Sequence, residues 1–346
     1  MTIKDLAHET GYSVGTISRV LNNHPNVSEK ARIEILAAVE RFGFERNKNA
    51  KNLKQSYGEG ILAVVTGTSN ELFSRMIERI QQALSQTRYP LTVDYVDENV
   101  DPVVKALQLS REKKPEGLLF LGGDARLYER SYGQIQLPGV VLTTDVSSLH
   151  MPNLSSVSTD DVSAAECVMD HLIANGHRDI GIISGDRSCS GPSRLRWEGC
   201  LRAAARHGLS LPEAHCATAR YTLKDGYTAA LRLMQHPPLT AIFAMSDIMA
   251  FGAIRALHDY GLRVPEDISV VGFDGLDMCS YYIPKLTTIQ QSVVRIADRG
   301  VRLLLDHIEK HIPARHEIIS FSLCEGESVA SLPRQRTETT TESDTL

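Results

Sequence analysis

The sequence predicts an α/β protein: a small all-α head followed by two doubly wound lobes, each built on a parallel sheet. Three observations predict it. Residues 2–42 carry apolar residues at helical spacing, punctuated by glycine and by capping residues, with no aliphatic strand run. From residue 60 onward, short near-continuously apolar runs alternate with amphipathic stretches, the pattern of parallel strands covered on both faces by helices. The chain is 346 residues long with 42% hydrophobic content, enough for more than one packed core.

The first head helix opens on Thr2-Ile3-Lys4-Asp5, a capping-box pattern, and Ile3, Leu6 and Ala7 give it an apolar stripe. Gly11 ends it, and Ser13 is a good N-cap for a second helix, VGTISRVLN. Ile17, Val20 and Leu21 form the apolar stripe of that helix, whereas Gly15, Ser18, Arg19 and Asn22 share its other side. Ser28 caps a third helix, SEKARIEILAAVERF, with Ile35, Leu36, Val39 and Phe42 expected on one face and Gly43 as its stop. A helix, a glycine turn and a second helix with a polar face describe a helix-turn-helix, whose second helix enters the DNA major groove. Small residues at Val14 and Gly15 let that helix approach base edges. Arg19 can then make two parallel hydrogen bonds to a guanine, or pair with phosphate. Thr2, Thr16, Ser18, Asn22, Asn26 and Ser28 are short neutral groups suited to phosphate contacts. A three-helix bundle with a solvated polar face fits the same pattern.

Charge placement favours the nucleic-acid reading. The net charge is −5, but residues 1–58 hold nine Lys/Arg against six Asp/Glu, leaving the body at −8. The stretch RNKNAKNLK (46–54) has four basic residues, no acid and one large apolar residue, Leu53. Leu53 either packs on the next domain or acts as a wedge between base steps in the minor groove, with Lys51 and its neighbours on phosphates. QSYGEG follows as a glycine-bearing linker.

In the body, ILAVV, LTVDYV, GLLFLGG and GVVLTTD supply strands of one lobe, and DIGIISG, TAIFAMSD and ISVVGFD those of the other. Helical stretches such as FSRMIERIQQALSQ lie between them, so two doubly wound lobes result. The tail, LPRQRTETTTESDTL, is polar and expected to be disordered, with no leucine heptad.

No apolar run is long enough to span a bilayer, and MTIKDLAHETG lacks a hydrophobic signal region, so a cytoplasmic protein without membrane contact is expected. Six scattered cysteines without C-x-x-C spacing read as reduced thiols. GEGILA (58–63) fits a dinucleotide fingerprint but precedes its strand instead of following it. His171 and His177 are not on one helical face and do not suggest a metal site. No phosphate-binding loop or nucleophile elbow occurs, so no cofactor, metal or catalytic residue is expected and an enzyme is the least favoured class.

The head, TIKDLAHETGYSVGTISRVLNNHPNVSEKARIEILAAVERFGF, closely resembles the DNA-binding head of the lactose-repressor (LacI/GalR) family. HLIANGHRDIGIISG, SRLRWEGCLRAA, AMSDIMAFGAIRAL, LRVPEDISVVGFDG and YYIPKLTTIQQ resemble that family's effector-domain signatures, in order, over most of the chain. The resemblance implies a homodimeric transcription regulator with a periplasmic-binding-protein-like body. It places the head at 1–45, a hinge helix and linker at 46–59, one lobe at 60–158 plus 288–316, the other at 159–287 plus 317–332, and the tail at 333–346. Three chain crossovers would join the lobes around a ligand cleft.

Val14, Gly15 and Arg19 match the family's base-reading positions, and Leu53 its minor-groove leucine. Arg194 in SRLRWEG matches the arginine that holds the effector, and Asp274 in VVGFDG the carboxylate that pairs ligand hydroxyls or amino groups. Ser246 stands before the family's usual aspartate, Asp247, at a pocket-facing position. Asp145, Phe73 and Tyr221 fall where acidic and aromatic ligand contacts occur, although cores and lobe surfaces use the same residue types. The implied function is a repressor of carbohydrate-utilisation genes, bound to a near-palindromic operator and released by a sugar. A purine-type corepressor system and a solute-binding protein are the alternatives. The chain departs from the family pattern at Arg46 (usually proline), at Lys51 (usually arginine), at Gly15, which costs helix propensity and removes a side chain that could read a base, and around residues 90–125, where an irregular first lobe is expected.

Overall fold

The structure, a computed structural model, describes residues 3–21, 27–42, 60–67, 70–189, 191–236 and 238–333. Thr2, Asn22, Asn26, Lys51 and Leu53, with the whole hinge and the tail from 334 on, lie outside them. The chain divides into two units, Met1–Tyr57 and Gly58–Leu346.

In the first unit, α1 (Ile3–Thr10), α2 (Val14–Leu21) and α3 (Glu29–Arg41) close around Leu6, Ile17, Val20 and Ile35. Gly11 turns the chain between α1 and α2 with φ of +70°, the left-handed region that glycine enters without penalty. The Ser13 hydroxyl accepts from the Thr16 amide at 3.1 Å, and Ser28 from that of Ala31 at 3.4 Å, so both expected caps form. The expected apolar face of α3 is only partly right. Ile35 and Val39 pack inward, but Leu36 is 46% exposed and Phe42 38% exposed. The inward positions are Ala31, Ile35, Ala38 and Val39, a helical repeat that leaves Leu36 off to one side.

The second unit holds two six-stranded sheets. The first contains β1 (Ile61–Thr66), β2 (Leu91–Val96), β3 (Gly117–Leu121), β4 (Gly139–Leu142), β5 (Leu154–Thr159) and β11 (His316–Ile319), in the order β11-β5-β4-β3-β1-β2. The second contains β6 (Ile180–Ser184), β7 (Cys216–Thr218), β8 (Ala241–Ala244), β9 (Ser269–Asp274), β10 (Thr287–Gln290) and β12 (Ser322–Cys324), in the order β12-β10-β9-β8-β6-β7. Every pairing is parallel except β10 with β12. Residues 90–125, expected to be irregular, form regular β2, α5 (Pro102–Lys113) and β3, with Asp101 capping α5.

The remaining helices are α4 (Glu71–Leu84), α6 (Ala125–Ser131), α7 (Asp161–Ala174), α8 (Pro192–Arg206), α9 (Leu223–Leu233), α10 (Asp247–Asp259) and α11 (Val293–Lys310). Phe120 meets Tyr128 and Tyr132 edge-on in the first lobe, at ring distances of 5.3 and 6.0 Å. Phe243, Phe251 and Phe273 are fully buried in the second. There α9 and α10 approach so closely that a Cβ on Gly252 would lie 2.2 Å from the Leu223 carbonyl oxygen. Backbone cannot swing aside as a side chain can. Gly252→Ala is therefore expected to cost about 1–3 kcal/mol of stability, read as a lowered urea midpoint; an unchanged midpoint would show that the two helices can separate.

The sheets set the lobe boundaries. The chain leaves the first sheet after Thr159, returns through residues 291–292 between β10 and α11, and leaves again at residues 320–321 between β11 and β12. The expected change of lobe at 288 is corrected: Thr287–Gln290 still pairs with β9 of the second sheet, and the Thr288 hydroxyl donates to buried Asp247. The expected change at 317 is corrected likewise, because His316–Ile319 pairs with β5 of the first sheet.

Candidate functional site

In each sheet the first strand is flanked by the second on one side and the third on the other, and the chain reverses direction across that point. Ligands of doubly wound sheets bind outside the carboxyl ends of the strands there. The carboxyl ends of both sheets line one cavity of about 580 Å³. Gly67 after β1 and Gly122 after β3 line it from one lobe, and Gly185 after β6 and Asp274 ending β9 from the other. Small residues are needed there: a Cβ on Gly122 would lie 2.9 Å from the Phe73 ring, and one on Gly185 2.8 Å from that of Tyr221.

Asp274 sits at the floor, buried, with φ of +126°. A non-glycine residue held in that region stores strain, which clusters at ligand sites. Its carboxylate accepts from Gln291 Nε2 at 2.8 Å, and Gln291 Oε1 accepts from the Thr159 hydroxyl at 2.9 Å. Thr159 and Gln291 stand at two of the three crossovers, so the floor is tied to the segments that join the lobes. Arg196 lies beside it: its Nη1 is 4.0 Å from Asp274, its Nε donates to Asp161 at 2.8 Å and its Nη1 to the Met245 carbonyl at 2.6 Å. Its guanidinium covers the Phe273 ring at 3.5 Å.

Burial pushes the Asp274 carboxyl up to about 8; Arg196 pulls it down, and Asp247 and Asp161 push it further up. Folding therefore retains a proton that the unfolded chain releases near 3.8. This contribution to stability is fully present below 3.8 and is lost as pH rises through about 8. Asp274→Asn mimics the protonated form and keeps the acceptor for Gln291. It should flatten the stability profile between these limits and be more stable than the parent above pH 8. An unchanged slope in urea denaturation across pH would contradict the assignment.

Of the expected effector residues, Phe73, Tyr221 and Asp274 line the cavity. The Tyr221 hydroxyl is 2.7 Å from that of Ser193, which lines it too. Three do not. Arg194 points outward to Glu198 at 3.4 Å, and Arg196, two residues on, takes the inward place. Two residues rotate about 200° on a helix, so the two arginines occupy opposite faces of α8. Ser246 is buried away from the cavity and caps α10, accepting from the Met249 amide at 3.2 Å. Asp145 accepts from Ser147 and from the Ser156 hydroxyl, the latter at 3.1 Å, while its neighbours Thr143 and Thr144 reach the cavity. Sequence reasoning missed Arg196, Gln291, Asp124, Asp186, Glu98 and Arg220, all of which line it.

Ion pairs cross between the lobes. Arg220 donates to Glu98 at 2.9 Å and reaches Asp97 at 3.5 Å, and Arg75 donates to the Gly275 carbonyl at 3.3 Å and pairs with Asp277 at 3.2 Å. The lobes also meet backbone to backbone, a Cβ on Gly191 lying 3.6 Å from the Gly123 oxygen.

In the head, Val14, Gly15 and Arg19 are exposed on α2, and no carboxylate among the described residues pairs with Arg19. Thr16 and Ser28 are occupied in helix caps, and the Ser18 side chain lies outside what is described. A Cβ on Gly15 would meet nothing nearer than the Ser13 hydroxyl at 3.7 Å, so the head's own packing does not require glycine there. Gly15→Ala should stabilise the head by up to ~1 kcal/mol while weakening DNA binding. Tighter binding would remove the close-approach role.

The chain is 34% identical over 334 residues, 95% of its length and 99% of the relative's, to the HTH-type transcriptional regulator MalR of Clostridium butyricum. The chain belongs to the LacI family. Its residues 2–47 match the model for bacterial regulatory proteins of the lacI family, and residues 169–329 that for the periplasmic binding protein-like domain. This LacI-family protein is a DNA-binding transcriptional regulator. Its fold is similar to that of the lac repressor dimer crystallised with operator and the anti-inducer ONPF, at a TM-score of 0.77 and 24% identity over 95% of this chain and 99% of that one. It is also similar to that of the regulator CelR in complex with cellobiose, at 0.68 and 23% with the same coverage. Among its described residues no helix is long and apolar enough to cross a membrane.

Proposed function

We propose that the protein is a cytoplasmic repressor whose grip on its operator is released by a saccharide bound in the cleft between its lobes. The observation that carries this is the cleft itself, where carboxylates, amides and hydroxyls from both lobes converge beside two aromatic rings. Sugars need that combination: polar groups fix the ring hydroxyls and an aromatic face covers the apolar side. The neighbour crystallised with cellobiose shares the fold and supports the reading.

The protein works by binding and leaves its ligand unchanged. A ligand touching both lobes favours one lobe arrangement over another, and only that difference in affinity can change DNA binding. Two copies place two α2 helices on a near-palindromic site. Tyr281 and Ile283, 84% and 89% exposed beside half-exposed Met278, form the apolar surface a second copy would cover.

A thermal-shift series on the purified protein tests the saccharide reading, since a ligand of the native state raises the melting temperature by mass action. A rise with sugars and none with purines is expected. The reverse would turn the reading to a purine corepressor.

A further inference from the structure

The geometry points to an uncharged saccharide of at least two rings as the effector, and against sugars carrying a carboxylate or a phosphate. This inference rests on the saccharide reading above and narrows it by charge and by size.

Charge comes first. Among the described residues four carboxylates line the cavity, at Glu98, Asp124, Asp186 and Asp225, beside the Asp274 carboxyl that burial keeps protonated, against three arginines and no lysine or histidine. Two of the arginines are already committed, buried Arg196 to Asp161 and the Met245 carbonyl, and exposed Arg220, at the cavity mouth, to Glu98 and Asp97. The third, Arg232, is exposed at the far end of α9. An anionic sugar would have to take an arginine from its partner and strand that partner's charge, strongly unfavourable where the pair is buried. It would also face the surplus of carboxylates.

An uncharged polyol meets no such obstacle. Glu98 accepts from Arg220 through one oxygen and Asp225 from the Thr222 hydroxyl through one, which leaves both with lone pairs to spare for ligand hydroxyls. The buried Thr66 hydroxyl, on the cavity wall, has no hydrogen-bond partner among the described residues. Buried polar groups are satisfied in the great majority of structures, so Thr66 is an open position for one ligand hydroxyl.

Size follows. A cavity of about 580 Å³ equals the bulk volume of about twenty waters at ~30 Å³ each, more than one hexose displaces. The lining runs from buried Asp274 and Gln291 past Tyr221 to Asp225 and then Arg232 on α9. Seven helical residues cover about 10 Å, so the cavity is drawn out along that helix. Phe73 and Tyr221, from opposite lobes, offer two separate ring faces.

Isothermal titration of the full chain tests this with glucose, maltose, cellobiose, glucuronate and glucose 6-phosphate. A neutral disaccharide should bind at least tenfold more tightly than glucose and than each charged sugar. Glu98→Gln frees Arg220 in part and should raise glucuronate affinity relative to the neutral sugars. A charged sugar binding more tightly than every neutral one, or glucose matching the disaccharides, overturns the inference and leaves the saccharide reading standing. An unchanged ratio in Glu98→Gln overturns the charge argument. Silence from every saccharide removes both.

Discussion

Arg196→Ala is expected to cost about 3–5 kcal/mol of stability and to abolish the saccharide response, whereas Arg194→Ala stays within about 0.5 kcal/mol. The two arginines are neighbours in sequence, identical in charge and opposite in environment. Arg194 is exposed and its pair with Glu198 is one helical turn away on the surface, where such pairs contribute little. Arg196 is buried, and truncating it leaves the Asp161 carboxylate and the Met245 carbonyl without their donor inside the protein. It also strips the cation from the Phe273 ring and from the neighbourhood of Asp274. Asp161 begins α7, directly after the first crossover, so the loss reaches a segment that joins the lobes. Adding Asp161→Asn to Arg196→Ala should recover part of the stability, because the stranded charge goes with it. Urea midpoints of the four proteins decide the matter. Equal losses at 194 and 196, or no recovery in the double variant, would show that burial of this pair is not what holds the cleft floor.

The second large effect is expected at the other end of the chain. Arg19→Ala should reduce discrimination between a selected operator and scrambled DNA by about tenfold or more, since a bidentate arginine–guanine contact contributes about 1–3 kcal/mol of discrimination. Binding to scrambled DNA should weaken much less, because phosphate neutralisation by the other cations carries it. The exposed guanidinium has no carboxylate partner among the described residues, so its removal should not disturb the packing of Leu6, Ile17, Val20 and Ile35 beneath. Fluorescence anisotropy on both DNAs at one salt concentration measures the ratio. If both affinities fall equally, Arg19 holds phosphate and does not read bases.

The apolar runs made most of the fold legible. β1, β3, β4, β6, β8 and β9 are largely apolar segments, and each is a strand buried on both faces. The strands missed are polar or very short. In β5 the hydroxyls of Ser155 and Ser156 bond to the Arg315 amide and to His316, contacts made by residues far away in sequence. β7 has three residues and β12 three, too few to show any period. The lobe boundaries near 288 and 317 slipped for the same reason. Nothing local to TTIQ or HEII says which sheet a strand will join.

The site was legible where one residue type stood alone and illegible where phase mattered. Tyr221 has no near duplicate, and Asp274 closes the apolar run ISVVGF whereas Asp277 lies beyond it. SRLRWEG offers two arginines, and the choice turns on the phase of α8. Gly199, Cys200 and Ala203 mark its buried face, and stepping back by helical intervals from them reaches Arg196 and Ser193, not Arg194. That signal was present in the sequence. Ser246 and Asp145 misled because small polar residues at helix starts and loop turns are often consumed by local capping, as both are here. The crossing pair Arg220–Glu98 joins residues 122 positions apart and left no local trace.

The most direct test is to titrate a neutral disaccharide found by calorimetry into the protein held on its fluorescent operator, following anisotropy. The account expects release, with a midpoint that tracks the dissociation constant of the sugar and disappears in Arg196→Ala. Anisotropy that holds steady at saturating sugar, or a sugar that tightens the complex, would contradict it.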